Sequence, residues 1–104
     1  MFDTIKNFFG MGSKTDFALL AKNGAVILDV RTKGEFQCGH IKGAINIPVD
    51  QLRGNLDKLG DKKKPIITCC ASGMRSASAK AVLISCGYSE VYNGGGWQGL
   101  QNKI

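Results

Sequence analysis

Residues 65–76 read PIITCCASGMRS, an uncharged, largely apolar run that leads into a cysteine, a glycine and an arginine. The part from Pro65 to Cys69 has the continuous apolarity of a strand covered on both faces, which is the signature of a parallel sheet. Beyond Ser76, the residues Ala77, Ala79, Lys80, Ala81, Val82, Leu83 and Ile84 have high helix propensity, and Gly87 supplies a stop. The chain is therefore expected to leave a buried strand, cross a tight loop and enter a helix. In that setting the sulfur of Cys70 faces backbone N–H groups and the positive end of the helix, which lowers a thiol pKa and makes the thiolate available near neutrality. Arg75, five positions after Cys70, adds a permanent charge with a planar fork suited to an oxyanion.

The same alternation extends outward from this stretch. On the N-terminal side, Thr15 and Asp16 offer an N-cap for a helix through Lys22, which Asn23-Gly24 closes. Ala25 to Val30, AVILDV, reads as a second covered strand with Asp29 near its end. Thr32 and Glu35 have capping-box spacing for a helical turn ending near Cys38-Gly39. Ala44 to Ile47 reads as a short strand stopped by Pro48. Asp50 is then expected to cap a helix carrying Leu52, Leu56 and Leu59 on one face, with Gly60 as its end. On the C-terminal side, Glu90 to Tyr92 reads as a strand, and Gly94 to Gly96 as a flexible turn into a last helix around Trp97 and Leu100.

Strands alternating with helices at this spacing predict an α/β domain with a mainly parallel central sheet flanked by helices on both faces, spanning residues 15–104. Residues 1–14 read as an amphipathic tail, with Phe2, Ile5, Phe8 and Phe9 at helical spacing and Gly10, Gly12 and Ser13 as a joint. With lysine only at positions 6 and 14, this tail suits packing on the domain or on a second copy better than attachment to a membrane surface.

Composition agrees with one ordinary globular domain: 104 residues, 43% apolar and 21% charged. No apolar run approaches the roughly 18 residues of a membrane span. The start, MFDTIKNFFGMG, lacks the apolar stretch and cleavage pattern of a secretion signal, so a cytoplasmic location and free thiols on all four cysteines are expected. The net charge of +6 suits nucleic acid, an acidic protein or a small anion. Its densest run, Lys62 to Lys64, has no interleaved aromatics and reads as a solvated loop, so no nucleic-acid partner is expected.

The stretch CASGMRS resembles the active-site loop of the rhodanese family, C-x-x-G-x-R followed by a small residue, with the matches at Cys70, Gly73, Arg75 and Ser76. LDVRTKGEF is similar to that family's Asp-Val-Arg segment with its following Glu, GHIKGAINIP to its Gly-His-Ile segment, and GGGWQGL to its Gly-Gly-Trp segment. The resemblance runs from about Asp16 to Leu100. It implies a sulfurtransferase in which the Cys70 thiolate takes sulfur from a small anionic donor such as thiosulfate and passes it, as a persulfide, to a thiophilic acceptor.

The resemblance further implies that backbone N–H groups of Ala71, Ser72, Gly73, Met74 and Arg75 cradle the persulfide, and that Arg75 helps bind the donor. It implies supporting roles for Asp29, Arg31, His40 and Ser76, and neither a metal nor an organic cofactor. The alternative is a carrier module that relays sulfur from a protein donor or to a protein acceptor without turnover of its own. Phosphatases and arsenate reductases share the fold class, but their loop has one residue more; the four residues between Cys70 and Arg75 fit sulfur and crowd phosphate. His40, the only histidine, could serve as a general base, but its place in GHIKGA favours support. Cys69 departs from the family's frequent aromatic at that position and should point to the opposite face, buried and inert. Cys38 and Cys86 could resolve a persulfide only if they lay close to Cys70, and are read as packed or exposed thiols.

Overall fold

The structure, a computed structural model, describes residues 15–104; the expected tail of residues 1–14 lies outside the described residues. Four strands, β1 (Val26–Asp29), β2 (Ile45–Asn46), β3 (Ile66–Cys70) and β4 (Val91–Gly96), form one sheet in the order β2-β1-β3-β4, with every neighbouring pair parallel. The helices are α1 (Phe17–Lys22), α2 (Lys33–Gln37), α3 (Met74–Ser85) and α4 (Trp97–Gln101), and a 3-10 segment covers Val49–Leu59. Parallel pairing requires a crossover between strands, and these helices supply it.

The alternation of side chains along β1 and β3 sorts the core into two layers. On one face Leu28, Val30, Ile66 and Cys70 meet Leu52 and Leu59 of the 3-10 segment and Ala79 and Leu83 of α3. On the other, Ile67 and Cys69 meet Ile41 and Leu100, with Phe17, Leu20 and Trp97 packed alongside. Each fully buried aliphatic side chain contributes on the order of 1.5 to 3 kcal/mol, so continuous apolarity of β3 stabilises both layers at once. The sheet is thus flanked by helices on both faces.

The caps at Asp16 and Thr32 form as the spacing predicts: Asp16 Oδ1 accepts from the Leu19 N–H at 3.0 Å, and Thr32 and Glu35 close a full capping box. Three elements differ from the expectation. The segment after Pro48 is a 3-10 helix with non-helical backbone at Asn55, and Asp50 lies inside it instead of capping it. Gly54 and Asn55 are poor helix formers in mid-segment, and the Leu52–Leu59 face is satisfied by two short pieces. Helix α3 begins at Met74, so Met74, Arg75 and Ser76 form its first turn instead of the end of the loop. Strand β4 runs through Gly94, Gly95 and Gly96, which are no flexible turn. A Cβ on Gly94 would lie 2.9 Å from Ile67 Cγ2, Leu100 Cδ2 and the Thr68 carbonyl alike, so the glycine lets β4 approach β3 and α4.

Candidate active site

Cys70 ends β3 at the carboxyl edge of the sheet, where open parallel sheets place their sites. The ladder to β4 shifts register between Thr68 and Cys70, and Cys70 pairs with Gly96 beyond the irregularity, at the point where the chain turns. Its side chain is only 1% exposed. The sulfur accepts the Gly73 N–H at 2.9 Å and the Ser76 N–H at 3.4 Å, and lies 3.4 Å from the Ser76 hydroxyl. Gly73 presents its N–H from a left-handed conformation, φ 105°, which explains the glycine at this position. Burial alone would push the Cys70 thiol up. The Ser76 hydroxyl and the N–H groups of Ser76, Gly73 and Ser72 outweigh it and hold the thiol below its ordinary value.

Thr68 and Asn93 tie this cradle to the sheet. Thr68 Oγ1 donates to the Ser76 carbonyl at 2.9 Å, inside the core. Asn93 on β4 accepts the Ser76 hydroxyl at 2.6 Å and the Gly95 N–H at 2.9 Å through Oδ1, while its Nδ2 donates to the Gly73 carbonyl at 3.2 Å. Neither residue is singled out in the sequence, because only the pairing of β3 with β4 brings them to the loop. Of the loop residues expected at the site, Ala71, Ser72 and Met74 are exposed, Met74 to 80%, and Ser76 is buried.

Arg75 does not stand alone. Its Nη1 and Nη2 hold Glu35 Oε1 and Oε2 at 2.7 and 3.0 Å, a forked pair between the first turn of α3 and helix α2. Both side chains keep over a third of their surface exposed. Arg75 first, and the Thr32 N–H second, lower the Glu35 carboxyl to about 2. Glu35 thus closes its helix cap and engages the loop arginine; the spacing Thr32-x-x-Glu35 reveals only the first of these contacts.

Asp29 and Arg31 form a separate, buried pair. Arg31 Nη2 donates to Asp29 Oδ2 at 2.7 Å and Nε to Oδ1 at 2.9 Å, and the backbone N–H of Arg31 also reaches Oδ1. The guanidinium continues to the carbonyls of Gly39 and Glu35 and lies over the Trp97 ring, 4.8 Å from its centre. Every charge in this group has a partner, and the group fastens β1, α2 and α4 together. His40 is exposed, stacks on Phe36 at 3.7 Å, and places Nδ1 2.8 Å from the Phe36 carbonyl, to which it donates.

All four cysteines are free thiols. Cys69 is fully buried on the opposite face from Cys70, and burial, followed by the negative charge of Asp29, pushes its thiol up to about 12. Cys86 sits just past the far end of α3, about 18 Å of helix rise from the loop. Cys38 is exposed after α2. Two recesses of about 620 Å³ open elsewhere, one beside α1 and one between α2 and the 3-10 segment, and loop residues 70–76 line neither.

Fold and loop together define an α/β protein whose strand-to-helix turn surrounds one cysteine sulfur with N–H donors. Residues 13–103 match the rhodanese-like domain family, and the chain belongs to it. The chain is 36% identical over 70 residues to thiosulfate sulfurtransferase PspE of Escherichia coli, a match covering 66% of this chain and 67% of that protein. A segment of tRNA uridine(34) hydroxylase from Hamiltonella defensa is also 36% identical, covering 66% of this chain and 21% of that protein. Among solved structures, a rhodanese with anions from E. coli superposes with a TM-score of 0.70 at 32% identity, covering 73% of this chain and 91% of that one. The match spans 64 to 67% of the length of the first curated relatives, about two thirds.

Proposed function

We propose that the chain moves sulfane sulfur through a persulfide on Cys70, from thiosulfate or a related donor to a thiophilic acceptor. The observation that carries this reading is the convergence of the Gly73 and Ser76 N–H groups on the Cys70 sulfur. These donors stabilise an anionic sulfur and need no general base. The thiolate attacks the outer sulfur of thiosulfate, a new S–S bond forms, the bond to the sulfonate sulfur breaks with its electron pair, and sulfite leaves. Attack by the acceptor on the terminal sulfur then returns the Cys70 thiolate. The N–H groups of Ala71, Met74 and Arg75 are assigned, on this reading, to the terminal sulfur of the persulfide.

The pair with Glu35 uses one N–H each of Nη1 and Nη2, which leaves the Nε–H and the outer Nη2–H, on one edge of the guanidinium, for the sulfonate of a donor. Asp29, Arg31 and His40 act through the fold around the loop. Four free thiols suit a reducing cytoplasm. Thiocyanate formation from thiosulfate and cyanide tests the proposal: the wild-type chain should form it and the Cys70→Ala variant should not.

One observation favours a second reading, the relay of sulfur between proteins. Glu35 neutralises the loop arginine, and Met74, 80% exposed, presents an apolar contact in the turn after the reactive cysteine. Negligible thiosulfate turnover, together with transfer of sulfur to Cys70 from a persulfide-bearing protein, would select the relay.

A further inference from the structure

We propose that Asn93 is a positioning residue for the sulfur chemistry: its side-chain amide clips the loop tip to β4 so that Gly73 and Ser76 present their donors to Cys70. The inference rests on Cys70 being the reactive sulfur.

The orientation of the amide is determined by its neighbours. The Gly95 N–H, 2.9 Å away, requires an acceptor, which places Oδ1 there, and the Gly73 carbonyl at 3.2 Å requires a donor, which places Nδ2 there. Oδ1 then also takes the Ser76 hydroxyl proton at 2.6 Å. One side chain on β4 therefore holds the two residues whose N–H groups lie 2.9 and 3.4 Å from the Cys70 sulfur. It holds Gly73 by the carbonyl, in the residue whose N–H lies 2.9 Å from the sulfur. The bonds of Asn93 go to Ser76, Gly73 and Gly95 and not to the sulfur, so its action is indirect.

The sign of the effect follows from the distances. The Ser76 hydroxyl has one proton and three acceptors in reach: Asn93 Oδ1 at 2.6 Å, the Gly73 carbonyl at 3.0 Å and Cys70 Sγ at 3.4 Å. With Asn93 truncated, the hydroxyl stays shared between the Gly73 carbonyl at 3.0 Å and the sulfur at 3.4 Å, both in hydrogen-bond range, and the loss of the clip on Gly73 sets the direction. Gly73, held at φ 105° without a side chain of its own to pin it, loses its anchor on β4. Removing the amide should therefore weaken N–H donation to the thiolate and raise the thiol pKa.

The test is the pH profile of Cys70 alkylation by iodoacetamide, read by peptide mass, in the full chain. Asn93→Ala should move the midpoint up by about one pH unit, the scale of one weakened charge-assisted hydrogen bond. Asn93→Asp, which keeps the acceptor but cannot donate to Gly73 and brings a negative charge, should move it further. Asn93→Ala combined with Ser76→Ala should shift it by less than the sum of the two single changes, since both act on one donor set. Tyr92→Phe, the neighbouring change on the same strand, should leave it in place. A wild-type midpoint in Asn93→Ala, or in Asn93→Asp should the alanine variant fail to fold, overturns the proposal. An ordinary thiol midpoint in the wild-type chain overturns instead the reading of Cys70 on which the proposal rests.

Discussion

Cys69 and Cys70 are adjacent in the chain, both are buried, and their thiols are driven in opposite directions. Cys69, 0% exposed, points into the layer of Ile67 and Leu100, where burial pushes it up to about 12. Cys70, 1% exposed, points toward the first turn of α3, and its thiol falls below the ordinary value. Burial therefore does not decide the chemistry of a cysteine here. What decides it is whether the lost water is replaced by aimed N–H donors, and the pleat of one strand separates the two outcomes.

The largest effect expected from this contrast is all or none. Cys70→Ser should abolish thiocyanate formation, whereas Cys69→Ser should retain most of it; a dead Cys69 variant beside an active Cys70 variant would reverse the assignment. Next is Arg75→Lys, which keeps the charge and loses the planar fork. The cost should fall on thiosulfate affinity, on the order of 1 to 3 kcal/mol for a charge-assisted hydrogen bond, with little movement of the thiol pKa. Steady-state kinetics paired with a thiol titration separates the two, and a large pKa rise with unchanged donor affinity would show that Arg75 serves the thiolate.

Ser76→Ala brings Cys70 a step toward its neighbour. With the hydroxyl gone, Asn93 loses its hold on the residue whose N–H reaches the sulfur at 3.4 Å, and the thiol pKa should rise by up to about one unit. Because the thiolate is the nucleophile, the rate at a fixed pH below that value should fall by the same factor and recover as the pH is raised. An unchanged profile would leave the backbone N–H groups as the whole of the cradle.

The smallest effect expected is that of Glu35→Gln, seen in acid. The Glu35 carboxyl is lowered from 4.5 to about 2 in the folded chain, so its pairing with Arg75 contributes stability that is full above 4.5 and is lost as the pH falls toward 2. Denaturant melts between those limits should show a shallower loss of stability in the glutamine variant, and parallel curves would mean that the ion pair is energetically silent.

How much of this was legible in the sequence depends on how far apart the partners lie. The strand, loop and helix around Cys70 are local, as are the caps at Asp16 and Thr32, and their residues read directly. The opposite facing of Cys69 and Cys70 follows from the period of a strand. The pairing of Glu35 with Arg75 joins residues 40 apart and that of Asn93 with Ser76 joins residues 17 apart. Both depend on the order β2-β1-β3-β4, which alternation alone does not specify. The glycines of β4 read as a turn because glycine is rare inside strands, whereas here Gly94 and Gly96 permit close approach, Gly96 to the Ala71 carbonyl. The 3-10 segment keeps the spacing of Leu52 and Leu59 that suggested an α-helix, but Gly54 and Asn55 interrupt it.

On the proposed function, sulfur is carried on Cys70 and not on Cys69. Incubation of the chain with thiosulfate, alkylation of the products and mapping of the peptides by mass spectrometry tests it most directly. One added sulfur atom on Cys70, discharged by cyanide, with Cys69 unmodified, is the expected result. An added sulfur on Cys69, or an adduct that persists in the Cys70→Ser variant, would contradict it.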